Sequence, residues 1–424
     1  MSRTSLPILT LAVKSQRYSC HGCGNCCRDF TVQLREEDLA KLREQEWESK
    51  LGEPVTIWFR GVEYLRQRGD GACIFLMDDG RCRVHAEFGF ENKPIACQLF
   101  PFSLVPSSRG PQMGLNFACQ SVQENKGAEL ASHQSELKRM LGRIPEARSH
   151  AAPPRLTDHL RGTEHEERSL TQHLDAWLKR SEIDLPRRLD GLAWVVQSLA
   201  GATLGNVRDG RFDQLLDVLF TALPGELAFH PVDPPSARQL KMLRGAVFAR
   251  TEDPKLDRIE REGRIHITLS QLRRQRRWAR GRGAAPHIAH DWPQAMLERV
   301  DHTVAARNSD AVIAIDDLFT RWLRATILGS RAWGAGYYGW PMIGGVQAMM
   351  LNVASVGYLS RLRAAGRSLN AITIQDVRAA VGRVDRTAGR APWLGSVGER
   401  MRLNYLRRDH GLRRLVRHYA TTAS

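Results

Sequence analysis

The chain has 424 residues, 42% of them hydrophobic, and a formal net charge of +16. That length exceeds one ordinary domain, and the apolar content excludes a disordered or low-complexity protein. The charge is uneven: residues 1–150 hold 20 Lys and Arg against 18 Asp and Glu, a balance of +2, so the remainder carries +14. Such a basic field favours acidic partners: nucleic acid, an anionic membrane surface or an acidic protein.

In chain order, Met1–Val13 holds a short apolar run interrupted by Pro7 and lacks a small-residue cleavage site. A cytoplasmic, bacterial protein with reduced thiols is expected. Thr10 to Tyr18 and Phe30 to Leu34 read as short extended segments flanking a cysteine knuckle, and Glu36 to Glu48 as a charged surface helix. Cys73 to Arg83 reads as a hairpin turning at Asp78-Asp79-Gly80, because Asp-Gly favours such turns. Residues 145–170, with Pro145, Pro153 and Pro154, read as a connection. Beyond it the apolar spacing is helical over Leu189–Leu199, Phe212–Leu223, Ala237–Ala249 and Leu318–Leu328. Thr373 is placed to cap a further helix through Val377, Val381 and Val384. Residues 251–292 are Arg-rich and interrupt the helical pattern.

The segment Met342 to Leu359 holds 18 residues without a charge, but its Gln347, Asn352, Ser355 and three glycines suit a buried helix better than a membrane span. The fold class expected is therefore α+β: a loop-rich cysteine-cluster domain over 1–125, a connection over 126–175, and a basic, mostly helical region over 176–424.

All eight cysteines fall in the first 119 residues: Cys20, Cys23, Cys26, Cys27, Cys73, Cys82, Cys97 and Cys119. A C-x2-C turn brings two thiolates within reach of one metal, so all eight are candidate metal ligands. Disulfides are disfavoured by the size of the chain, the missing export signal and the adjacent Cys26-Cys27 pair. Cys20-x2-Cys23-x2-Cys26 has the spacing of the first three ligands of a bacterial-type [4Fe–4S] cluster, and Gly22 and Gly24 suit a tight loop around metal. Iron–sulfur is the preferred reading; a four-thiolate zinc site uses the same residues. Side chains of neighbouring residues diverge, so Cys26 and Cys27 are expected either to serve different metals or to leave one of them merely buried. His85, three residues after Cys82, reads as an ordinary polar histidine rather than a ligand.

The run Cys20-His21-Gly22-Cys23-Gly24-Asn25-Cys26-Cys27-Arg28 resembles the YkgJ-like CxxCxxCC family, a zinc- or iron-chelating domain. The later stretches Cys73-Ile74-Phe75-Leu76, Gly80-Arg81-Cys82-Arg83-Val84-His85 and Lys93-Pro94-Ile95-Ala96-Cys97-Gln98 match its second half. The resemblance covers roughly residues 15–120, with Lys93 and Gln98 standing where family members often carry Arg. The family includes proteins named flagellin lysine N-methylases, so the resemblance implies a metal-cluster enzyme that modifies lysines with S-adenosylmethionine. The residues themselves show no acidic-Gly-x-Gly-x-Gly strand–loop–helix signature and no Cys-x3-Cys-x2-Cys motif.

Other motifs carry less. Gly334-Ala335-Gly336-Tyr337-Tyr338-Gly339 fits G-x-G-x-x-G, yet helical sequence precedes it and no acid follows before Asp376. It reads as a loop, with Trp333 and Trp340 packed in the core or walling a pocket. Arg273, Arg274, Arg276, Arg277, Arg280 and Arg282 crowd around Trp278, reading first as a solvated face and second as a grip for RNA or phosphate. No catalytic residue is assigned. The reading is a metal-binding protein, iron–sulfur or zinc, acting on a protein or small-molecule substrate. The alternative is a non-catalytic, metal-stapled module whose basic helices bind an acidic partner or nucleic acid.

Overall fold

A computed structural model describes residues 15–144, 151–229, 232–252, 256–289 and 291–423. It is α+β: among the described residues strands are confined to the N-terminal third, and the remainder is mostly helical. Thr10 to Lys14 of the first expected extended segment lie outside the described residues.

Three two-stranded antiparallel ribbons frame the cysteine region. Arg17–Tyr18 pairs with Ala128–Glu129, closing the start of the region onto its end. Thr56–Phe59 pairs with Val62–Leu65, and Phe102–Val105 with Gln112–Leu115. The expected Glu36–Glu48 helix is broken. Glu36–Glu44 and Trp47–Leu51 are separate helices, because Glu46 takes a left-handed conformation between them. The Asp78-Asp79-Gly80 turn is present, with Met77 and Arg81 joined across it and a single bridge at Leu76 and Cys82.

The cysteine region rests on two cores. Leu34, Leu42, Trp47, Val55, Leu65, Ile74, Phe75 and Val84 form a small one that includes Cys73, with the Trp47 and Phe75 rings 4.9 Å apart. The ribbon 102–115 and Phe117, Val122 and Leu130 instead join the main core, which continues through the helices to Tyr419. Each such buried aliphatic or aromatic side chain contributes about 1.5–3 kcal/mol.

The helical body is built around Met342–Gly366. This is the one helix among the described residues long and apolar enough to cross a membrane, and 94% of its apolar window is buried inside the protein. The helices Leu185–Gly201, Ala237–Thr251, Ile374–Thr387 and Gly411–His418 surround it. Gly357 is needed there, since a Cβ would stand 1.8 Å from the Tyr419 carbonyl oxygen. Thr373 caps Ile374–Thr387 in a reciprocal box with Asp376, as the sequence indicates.

Two stretches differ from expectation. Residues 126–175 carry the helix Gln134–Gly142 and most of Glu164–Leu178, with non-helical chain over 151–163. The Arg-rich interruption contains the helices Leu256–Glu262 and Arg264–Arg280. Arg and Gln are good helix formers, and the second helix is anchored by buried Ile267 and Trp278, the latter 6.0 Å from the Tyr358 ring. Its arginines at 273, 276, 277 and 280 remain exposed.

The segment leading to Cys119 is tied to this body by buried charges. Arg321 donates to Gln16 Oε1 and the carbonyls of Val122 and Gln123, each at 2.9 Å. Asp385 accepts the Phe117 N–H at 2.7 Å, the Trp322 indole at 2.9 Å and the Arg331 guanidinium at 3.2 Å.

Candidate metal centre

The knuckle begins as irregular chain. Gly22 and Gly24 have φ of 66° and 70°, and Gly24 precedes the one-turn helix Asn25–Asp29 that carries Cys26 and Cys27. The loop sits on the Asp78–Gly80 turn. A Cβ on Gly80 would stand 2.7 Å from the Gly22 carbonyl oxygen, and one on Gly24 3.3 Å from the Gly80 oxygen. Glycine on both sides permits this approach, which brings the turn before Cys82 beneath Cys20 and Cys23.

Backbone hydrogen bonding then draws in the other cysteines. The Cys73 N–H donates to the Cys27 carbonyl at 2.6 Å. Cys82 stands at the start of the Arg83–Phe88 helix, Cys97 lies within Ile95–Leu99, and Cys119 opens Gln120–Glu124. Seven cysteines (Cys20, Cys23, Cys26, Cys27, Cys82, Cys97 and Cys119) line one cavity of about 920 Å³. Cys73 lies buried in the small core behind them. Cys20 and Cys23 are exposed at its mouth, and the Cys26 and Cys27 sulfurs are 3.9 Å apart. All eight are free thiols. Among the described residues no three His, Cys, Asp or Glu side chains are gathered tightly enough to hold a single ion, so the sulfurs surround a space rather than a point.

The electrostatics follow from this crowding. Burial pushes the Cys73, Cys97 and Cys119 thiols up to about 12, and neighbouring sulfurs add to the shift. Cys26 is raised well above its ordinary value, first by its hydrogen bond with Cys27 and then by burial. Opposing these shifts, backbone amides serve the sulfurs: Asn25 at Cys23, Phe75 at Cys73, Ser121 and Val122 at Cys119. Amide N–H groups aimed at sulfur stabilise thiolate and tune a bound metal. Burial disfavours the charged form of Lys93, yet the sulfurs of Cys97, Cys82, Cys26 and Cys27 outweigh it and raise its pKa. Seven thiols around one cavity, with backbone amides turned toward Cys23 and Cys119, are a donor set that a cation completes, and in this respect the residues fit zinc or iron.

His85 lines the cavity and packs edge-on to Phe90 at 5.8 Å. The Gly334–Gly339 loop is not part of this cavity; it forms a tight turn bridged at Gly334 and Trp340, with Trp333 and Trp340 buried in the core. Lys93 and Tyr18 also line the cavity, at positions that cysteine spacing does not mark. The only local signal was Lys93 standing beside the Pro94–Cys97 motif.

Comparison with known proteins bears on the same segment. An uncharacterized protein of Methanocaldococcus jannaschii is 29% identical over 119 residues, which is 27% of this chain and 41% of that protein, under half its length. No solved structure matches. Residues 19–130 match the family model CxxCxxCC, described as "Putative zinc- or iron-chelating domain", the segment that holds all eight cysteines of the cluster.

Proposed function

We propose that the chain is an iron–sulfur metalloprotein whose centre lies in the wall of an open cavity and serves a reaction on a substrate admitted there, a protein side chain or a small molecule. The observation that carries this reading is the meeting of seven thiols on one cavity of about 920 Å³. Structural zinc sites are closed, whereas catalytic metals keep an accessible face; here Cys20 and Cys23 are exposed at the mouth. The Cys20-x2-Cys23-x2-Cys26 spacing favours iron–sulfur over zinc.

The ligands divide by surroundings. The Cys119 thiol, raised first by burial, is raised further by the nearby sulfurs of Cys26 and Cys23, and the Cys73 thiol by those of Cys97, Cys82 and Cys26. One set is Cys20, Cys23 and Cys119; the other is Cys73, Cys82 and Cys97; the Cys26–Cys27 pair stands between and supplies a ligand to each. Lys93 and the amides at Cys23, Cys73 and Cys119 offset the negative charge of the thiolates. When bound, an iron–sulfur centre supplies electron transfer or an electrophilic iron. The resemblance to flagellin lysine N-methylases makes lysine methylation with S-adenosylmethionine the first activity to assay. The test is purification without oxygen: brown protein with iron and acid-labile sulfide is expected, and colourless protein with stoichiometric zinc would overturn the iron–sulfur reading.

One observation favours the non-catalytic alternative. The Arg264–Arg280 helix exposes Arg273, Arg276, Arg277 and Arg280 beside Ile265, Leu269 and Leu272, which are 80%, 50% and 45% exposed. A basic face with apolar interruptions suits an acidic partner. Nucleic-acid binding there predicts affinity that falls steeply with salt, with a shallower slope in Arg273→Gln/Arg277→Gln.

A further inference from the structure

Asn25, Ala118, Gln120 and Glu124 line the cysteine cavity on one side and a second recess, of about 230 Å³, on the other. The far wall of that recess belongs to the helical body. Arg363 comes from Met342–Gly366, Arg378 and Arg383 from Ile374–Thr387, and Trp292 from the loop before residue 297. Gly382 lets this wall close on the cysteine segment, because a Cβ there would stand 2.7 Å from Gln123 Nε2.

The donors of the recess are only partly used. Arg363 donates to Asp376 at 2.8 Å, and its guanidinium lies 6.0 Å from the Trp292 ring centre. Arg383, largely buried, donates to the Thr251 carbonyl. Arg378 has Glu124 at 3.9 Å, beyond hydrogen-bond reach. Glu124 is itself held by Lys126 at 2.7 Å and by Gln120 at 3.0 Å, and Asp291 also borders the recess. The Nε atoms of all three arginines and Nε1 of Trp292 are buried without a hydrogen-bond partner. Arg363, Arg378, Arg383 and Trp292 all line this one small space, and each carries a buried donor without an acceptor, which is costly unless an acceptor enters. A space of this size holds several water-sized groups at roughly 30 Å³ each, enough for one oxyanion and the start of what carries it.

We propose that this recess is the anion subsite of the metal cavity. It takes a carboxylate or phosphate group of the substrate in charge-assisted hydrogen bonds from the guanidiniums, while the remainder of the molecule passes Asn25 and Gln120 toward the thiols. The assignment rests on reading the cysteine cavity as a substrate site; it does not depend on which metal is bound.

Calorimetric titration of the full-length, metal-loaded protein with inorganic phosphate and, separately, with acetate tests it. Saturable binding of one of the two is expected, and which one binds identifies the group. Arg378→Gln should weaken that binding about tenfold or more, the usual scale for losing a charged donor, with metal content unchanged. Trp292→Phe removes a single neutral donor and should weaken it severalfold. Arg276→Gln, an equal change of net charge on the exposed helix, should leave it alone. Failure of both anions to saturate, or equal weakening by Arg276→Gln and Arg378→Gln, overturns the proposal. Phosphate or acetate binding by a protein found to hold zinc would leave the subsite standing while the iron–sulfur reading falls.

Discussion

At Gly80 a methyl group would meet the Gly22 carbonyl oxygen at 2.7 Å, backbone against backbone. Gly80→Ala must therefore part the two loops that bring Cys20 and Cys23 over the approach to Cys82, at a position whose φ of 83° already disfavours alanine. Metal bound per chain, measured by elemental analysis, should fall in this variant; full occupancy would contradict the loop-on-loop account. Cys26→Ser and Cys27→Ser test the division of the adjacent pair. Each should lose part of the metal and the double variant more, because each sulfur is assigned to a different set; full metal content in either single variant would leave that sulfur outside both. Asp385 is a further residue with a decided role, since it accepts from a backbone amide of the cysteine segment and from two side chains of the helical body. Asp385→Asn leaves Arg331 short of its buried partner and should cost about 3–5 kcal/mol by denaturant titration.

Among the elements, the long amphipathic helices were legible because their apolar steps extend over ten or more residues and their caps are written locally. The Thr373 cap is one such local signal, and Asp376 completes its box. The Arg264–Arg280 helix was not, because its buried face reduces to Ile267 and Trp278 among arginines, and a pattern that sparse resembles a solvated loop. The helix Glu164–Leu178 offers a test in its cap. Thr163 and Glu166 form a reciprocal box, and Glu166 also accepts Arg208 Nε at 2.6 Å. Burial alone would raise the Glu166 carboxyl, but Arg208 and the amides of Thr163 and Asp209 outweigh it and hold it below its ordinary value of 4.5. A group depressed in the folded state stabilises the fold above its unfolded pKa and loses that contribution as pH falls through the folded one. Stability should thus decline on acidification below the ordinary glutamate range of about 4.3–4.5. Glu166→Gln should be less stable at neutral pH and decline less steeply; an identical pH profile would contradict this.

For the whole molecule, the N-terminal metal domain was readable because its information is local: cysteines at fixed short spacing with glycines between them. What was not readable is how the domain is seated. Arg321 reaches Val122 and Asp385 reaches Phe117 across 199 and 268 positions of chain, and no local pattern encodes such pairings. The arginine recess escaped for the same reason. Arg363, Arg378 and Arg383 are scattered among helical residues and acquire meaning only when the two helices close on Gln120 and Glu124. The conspicuous arginine run near Trp278 proved to face solvent instead. The ribbon 102–115 and the chain to Leu130 share the main core with the helical body, whereas Cys27, Cys73, Cys82 and Cys97 pack on the smaller core, so metal bound in the cavity would tie the two together and stabilise the fold by mass action.

Metal and sulfide analysis of the full chain purified without oxygen decides whether these thiols hold an iron–sulfur centre. Iron with acid-labile sulfide and an absorbance band at about 400 nm are expected, lost together when Cys20, Cys23 and Cys26 are replaced by serine. A protein that emerges metal-free, with all eight thiols open to titration and a melting temperature unmoved by added iron or zinc, would contradict it.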